Sequence, residues 1–216
     1  MAVWILIAFQ GYLRPSECMR LRRRDLIRPV PGLSRHWGLI INAVESGVRS
    51  KIGTVDDSIM LDSEDFQWCN QIWEVLKEGP PEESLWRFSY SALTWKLRDV
   101  CRHLQIELTP YQLRHAGPSD DRIRGRRSLM EIQKRGRWLS YRSVARYEQA
   151  SWLLAQTERM STITRQRAEA AERHLEGVVL LKVAPDFLTD YSKSSREAKA
   201  SQELGGVAAA KRRRLT

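Results

Sequence analysis

Residues 108–147 (LTPYQLRHAGPSDDRIRGRRSLMEIQKRGRWLSYRSVARY) constrain this chain more than any other stretch. Arg114 and His115 stand near one end, Trp138 and Tyr147 near the other, and a basic run joins them. From Arg122 to Arg146 there are nine Lys or Arg against a single acid, Glu131. A run this basic, ending in a tyrosine on a predicted helix, points to chemistry on a phosphate backbone.

The whole chain leans the same way. Its formal charge of +10 and isoelectric point near 9.9 imply an anionic partner, nucleic acid ahead of a membrane surface. At 216 residues it can bury one substantial core, so the expectation is one domain over residues 1–183 and a tail over 184–216. Cys18, Cys69 and Cys101 lie far apart with no C-x-x-C pair, which argues against a disulfide framework or zinc site and fits a reducing, intracellular compartment. His36, His103, His115 and His174 also lack metal-ligand spacing, so no metal or other cofactor is expected. The apolar run at residues 4–9 is too short to span a bilayer, and it lacks the basic flank of a signal peptide. It reads as a buried helix.

In order, residues 1–10 read as a helix ended by Gly11, and a second helix runs to about Arg24. Pro15, Ser16 and Glu17 suit its first turn, which leaves Arg14 in the turn before it, free to point away from the core. GLIIN at 38–42 and SIML at 58–61 read as two strands of a small sheet, with Lys51 in the connection. Residues 62–78 read as a helix with an apolar stripe of Phe66, Trp68, Cys69, Ile72, Trp73 and Leu76. Another, from near Ser91 to Leu104, is expected to bury Leu93, Trp95, Leu97, Val100 and Leu104. Gly117-Pro118 is expected to break the chain after His115, and residues 128–135 form a helix between Ser128 and Gly136. A last helix, opened by Ser140 or Ser143, carries Tyr147 and extends towards Leu175. From Ala184 the composition is that of a disordered tail, ending in Lys211, Arg212, Arg213 and Arg214. That basic end resembles a nuclear localisation signal, and a tail contacting nucleic acid has the same composition.

Tyr111-Gln112-Leu113-Arg114-His115 resembles the H-x-L-R-H box of the tyrosine recombinases, the phage-integrase family. Gly11-Tyr12-Leu13-Arg14-Pro15-Ser16-Glu17 resembles that family's G-L-R-x-S-E box, and Trp138 precedes Tyr147 at its His/Trp-to-nucleophile spacing. The resemblance implies a mainly α fold with a small antiparallel β-sheet, an α+β catalytic domain of tyrosine-recombinase type. It implies double-stranded DNA as partner, a homo-oligomer assembled on that DNA, and strand cleavage and rejoining through a 3′-phosphotyrosyl link. Tyr147 would be the nucleophile, Arg14 and Arg114 the catalytic arginines, and Lys51 the catalytic lysine of a β-hairpin, with Arg49 as rival cation. Trp138 would pack and hydrogen-bond near the phosphate.

Those residue types suit the chemistry. A tyrosine hydroxyl titrates near pH 10 and needs help losing its proton as it attacks. Two guanidiniums can hold the non-bridging oxygens in forked, charge-assisted bonds that strengthen as charge develops. A lysine ammonium can protonate the departing 5′ oxygen.

Two features depart from the family pattern. Tyr111 stands where the family has a histidine that handles protons, and a phenol is a poor base at neutral pH; His115, next to Arg114, matches a supporting position. The chain also opens inside the first catalytic-domain helix, so the family's N-terminal DNA clamp is absent or lies outside this sequence. Two rival readings follow: a DNA-binding module that keeps the fold without turnover, and a type IB topoisomerase-like nicking and resealing enzyme.

Overall fold

In the computed structural model the described residues are 1–42, 57–148 and 150–182. Helix α1 (Ala2–Gln10) is apolar nearly all round, and such a helix is stable only inside a core. Trp4, Leu6, Ile7 and Ala8 are buried accordingly, and Gly11 ends the helix as expected. Helix α2 (Pro15–Arg20) starts with Pro at its first position, where no N–H is needed. It stops short of Arg24: Leu21 leaves helical geometry and a separate 3₁₀ turn follows at Arg23–Asp25.

The two expected strands are β2 (Trp37–Asn42) and β3 (Asp57–Leu61), paired antiparallel with Leu39 opposite Ile59. A third, β1 (Leu26–Ile27), joins the other edge of β2, giving the order β1-β2-β3. Its two residues are too few to show an alternating pattern. Trp37, Leu39, Ile59 and Leu61 turn to the core. Lys51 and Arg49 lie outside the described residues, as does the tail from Ala184 with Lys211–Arg214.

The expected helix at 62–78 is a 3₁₀ segment (Glu64–Cys69), kinked at Phe66, followed by α3 (Asn70–Lys77). Helix α4 (Tyr90–Leu104) is capped by Ser89, whose Oγ accepts from the Ala92 N–H at 3.2 Å. It buries Leu93, Leu97 and Cys101 but leaves Trp95 67% exposed, Val100 42% and Leu104 40%. The expected burial of those three is therefore corrected, and helix geometry accounts for one of them. Trp95, about 200° round the helix from Leu93, faces the opposite way, whereas Val100 and Leu104 lie on the Leu93 side and the turn of the helix does not explain their exposure.

Helix α5 (Pro110–Ile123) runs straight through Gly117-Pro118, contrary to the expected break. A proline removes one helical N–H but leaves the remaining ladder of a 14-residue helix. Ser119 Oγ donates to His115 O at 2.8 Å. Gly117 lets α5 press against α1: a Cβ there would lie 2.2 Å from Phe9 O and 2.8 Å from the Tyr12 ring. Helix α6 (Leu129–Arg135) has the expected Ser128 cap and Gly136 end. Tyr147 is on a 3₁₀ turn (Ala145–Glu148), not on the expected long helix, which is divided into α7 (Ala150–Glu158) and α8 (Thr162–Val179). Ser161 makes the division, its Oγ accepting from the Thr164 N–H to start α8 afresh.

The chain forms two compact units, Met1–Leu153 and Leu154–Thr216. The candidate site lies wholly in the first. No described helix is long and apolar enough to cross a membrane.

Candidate functional site

Three segments supply the site: the turn at residues 11–17, helix α5, and residues 136–147 after α6. Two of the turns are strained in the same way. Tyr12 (φ 51°) and Arg137 (φ 55°) hold left-handed backbone without being glycine, at a cost of roughly 1–3 kcal/mol each. Buried Arg114 is held between them: its Nη1 donates to Tyr12 O and its Nη2 to Gly136 O, both at 2.6 Å. Arg114 thereby ties together segments that are far apart in the chain.

Glu17 is the other centre. Its carboxylate receives Arg14 Nη1 at 2.5 Å and Arg137 Nη2 at 2.8 Å, and Arg114 Nη1 stands 3.7 Å away. Burial pushes the Glu17 carboxyl up, but Arg137, the Arg14 N–H, and the Arg14 and Arg114 charges outweigh it and hold it below the usual range. Three guanidiniums on one carboxylate leave the cluster with excess positive charge. Arg114 registers that excess: burial first, then repulsion from Arg14, lower its pKa to about 10 despite Glu17. An anion beside Arg14 would offset that repulsion.

Beside this cluster, His115 Nδ1 and Tyr147 Oη are 2.7 Å apart. Burial first, then the charges of Arg146 and Arg114, hold the His115 pKa below its ordinary 6.5. A neutral imidazole with a bare Nδ1 can accept the Tyr147 proton. Tyr147 is only 2% exposed, and burial pushes its hydroxyl up to about 12 even with Arg146 and Arg114 opposing. Trp138 joins the groups: its ring stacks on His115 (centroids 6.4 Å, 21° between planes), lies 5.8 Å from the Tyr147 ring and carries the Arg114 guanidinium carbon at 4.8 Å. Tyr111, half exposed, meets His115 edge-on at 5.3 Å.

The structure thus brings Arg14, Arg114, His115, Trp138, Tyr111 and Tyr147 into one cluster, with Lys51 outside the described residues. Sequence reasoning missed Arg137, Tyr12 and the part Glu17 plays. Glu17 had a signal, standing three residues after Arg14 and so on the same face of a helix start. It missed Gly136 too, where a Cβ would fall 1.8 Å from the Trp138 ring. Two expectations need correction. Arg114 does not stand open for a phosphate, because its fork is already bonded to two carbonyls.

The basic run is also less available than its composition suggests. Arg124 pairs with Asp120, Arg126 with Asp65 and Asp120, Arg127 with Asp62 and Asp121, Arg135 with Asp62, and Arg137 with Glu17. Asp121 also accepts from the Tyr12 hydroxyl, so this network braces the wall of the site. Five of the nine cations are therefore spent internally. Among the described residues no carboxylate lies within ion-pair distance of Arg122, Lys134, Arg142 or Arg146, and no group of His, Cys, Asp and Glu could hold a metal.

No protein-family model, curated protein or solved structure matches the chain.

Proposed function

We propose that this chain binds duplex DNA and breaks and rejoins one strand through Tyr147, in the manner of the tyrosine recombinases, as a homo-oligomer when two sites are exchanged. One observation carries the reading: an excess-cation cluster of Arg14, Arg114 and Arg137 round Glu17 lies beside a tyrosine hydroxyl bonded to a neutral histidine. Tyr147 Oη attacks phosphorus while its proton passes to His115 Nδ1. The bond from phosphorus to the 5′ oxygen breaks, and that oxygen takes a proton, a role for the Lys51 ammonium. The products are a 3′-phosphotyrosyl link and a free 5′ hydroxyl, and rejoining is the reverse.

Burial raises the Tyr147 hydroxyl above its ordinary value and lowers the His115 imidazole below its own, so full proton transfer before attack is unfavourable. Transfer must therefore accompany attack, as charge moves from the phenol onto phosphate oxygens beside Arg14 and within the field of the buried Arg114. Tyr147 also has to swing outward to reach a phosphate. A four-residue 3₁₀ turn resists that less than an α-helix would.

A second reading, DNA binding without turnover, is favoured by the 2% exposure of Tyr147 and the 1% exposure of Arg114. A nicked suicide duplex, which traps the cleaved strand, separates the two. The expected result is a covalent protein–DNA adduct with the native chain and none with Tyr147→Phe, with DNA binding equal in both. Binding without adduct in the native chain selects the second reading. Relaxation of supercoiled plasmid without sequence preference selects a type IB topoisomerase-like activity.

A further inference from the structure

Of the three guanidiniums round Glu17, one can be reached from solvent. The Arg14 side chain is 27% exposed, against 1% for Arg114 and 5% for Arg137. A phosphate group can therefore touch Arg14, whereas the other two act on it from behind. Arg14 also keeps donors for it. Its Nη1 is bonded to Glu17 Oε1 at 2.5 Å, while its Nε and Nη2 bond no described residue. Nε and Nη2 form one edge of the guanidinium plane, and that edge matches two oxygens of a single phosphate.

The two oxygens of Glu17 divide the work of holding Arg14 there. Oε1 takes the Arg14 Nη1, and Oε2 takes the Arg14 backbone N–H at 2.7 Å together with Arg137 Nη2 at 2.8 Å. Arg137 is itself anchored, with Nη1 donating to Arg135 O at 2.9 Å from the left-handed turn before Trp138. Its bond to Oε2 fixes the rotation of the carboxylate, so that Oε1 stays on Arg14 Nη1. Its charge also offsets that of Glu17, which then competes less with a phosphate for Arg14. Charge balance alone does not call for Arg137, because Arg14 and Arg114 already outnumber one carboxylate. Burying a further guanidinium is costly, so its place beside Glu17 calls for a role other than neutralisation.

We propose that Arg137 is a positioning residue for Arg14: acting through Glu17, it keeps the Nε and Nη2 of Arg14 available to one phosphate group. The inference rests on the DNA reading above for the identity of that phosphate and adds a residue to its site. Loss of Arg137 would leave Glu17 with Arg14 and the more distant Arg114, at 3.7 Å. Arg14 would then face a carboxylate free to turn and less fully compensated, and would hold a phosphate more weakly.

Titration of isotope-labelled full-length protein with inorganic phosphate, followed by nuclear magnetic resonance, tests it. The Arg14 Nε–H signal is assigned by its loss in Arg14→Lys, and phosphate should shift it in the native chain. Arg137→Gln keeps much of the side chain but removes its charge, and should weaken phosphate binding at least fivefold. Arg137→Lys, which restores a charge beside Glu17, should recover most of that loss. In a Glu17→Gln background Arg137 has no carboxylate to act through, and Arg137→Gln should change affinity less than twofold. Near-ultraviolet circular dichroism is the folding control, and Arg137→Gly, suited to a left-handed turn, replaces Arg137→Gln should that variant fail it. Equal phosphate affinity in the native chain and Arg137→Gln overturns the inference, as does a fivefold loss that persists without Glu17 or an Arg14 signal that phosphate leaves unmoved. Arg137-dependent phosphate binding without an adduct on the nicked duplex leaves the inference standing and removes strand cleavage. An adduct formed equally fast by Arg137→Gln overturns the inference and leaves the DNA reading standing.

Discussion

Replacing Glu17 with Gln would remove the one carboxylate that three guanidiniums share. Breaking a buried ion cluster from one side costs roughly 3–5 kcal/mol, so Glu17→Gln should lower the urea midpoint markedly at pH 7. The pH dependence has a definite sign. The folded Glu17 titrates below its ordinary 4.5, so its contribution is present above that pH and is lost as the pH falls through the folded value. The gap between wild type and Glu17→Gln should therefore narrow in melts run below pH 4.5. For catalysis the geometry favours His115 over Tyr111 as proton acceptor, since only His115 bonds the Tyr147 hydroxyl. His115→Ala should slow single-turnover adduct formation by about a hundredfold or more, and Tyr111→His should add little. A fast adduct in His115→Ala would exclude that role. Much of the residue-level site was legible, because Arg14, Arg114, His115, Trp138 and Tyr147 are chemically distinctive and fall in characteristic local contexts. Arg137 and Tyr12 were not. A left-handed turn at a non-glycine residue is imposed by tertiary contacts and leaves no mark in the local sequence.

At the scale of elements, the close contact of α1 with α5 depends on Gly117. Gly117→Ala would press a methyl group onto Phe9 O and the Tyr12 ring, and neither backbone nor buried ring can yield cheaply. Overpacking of this kind costs typically about 1–3 kcal/mol, which thermal melts would register, and it should reduce adduct formation too by displacing the Arg14 turn. Elements with strong caps or periodicity were legible: α1, β2, β3 and α6 lie close to their expected spans. Failures came where tertiary packing outweighed local preference. Pro118 marks a break by local rules, yet α5 continues, packed against α1 through Gly117. Trp95 is apolar by composition, but α4 has only a narrow inward stripe and it falls outside. Tyr147 sits on a 3₁₀ turn, and pieces that short carry too few residues for a period to emerge.

For the molecule as a whole, net charge overstates the basic surface that the proposed DNA partner could meet. If all nine cations of the basic run met phosphates, the log–log salt slope from that run would approach about −8. With five committed to carboxylates, four remain, and the slope from this run should not exceed about −4. Titration of a short duplex between 50 and 200 mM salt, approximate bounds of the usual range, measures it. A slope near −8 would mean the internal ion pairs open on binding. The same long-range pairing bears on how the chain is made. Glu17 must wait for Arg137, 120 residues later, and Tyr12 for Asp121, 109 later. At roughly 5–20 residues per second of synthesis that wait lasts about 6–24 s. For most of it the apolar α1 has no α5 to cover it, so the nascent chain is exposed to aggregation until most of the first unit exists. Pairs this far apart in the chain close late, and a message cut before the codon for Arg137 should yield a chain that chaperones hold and proteases clear.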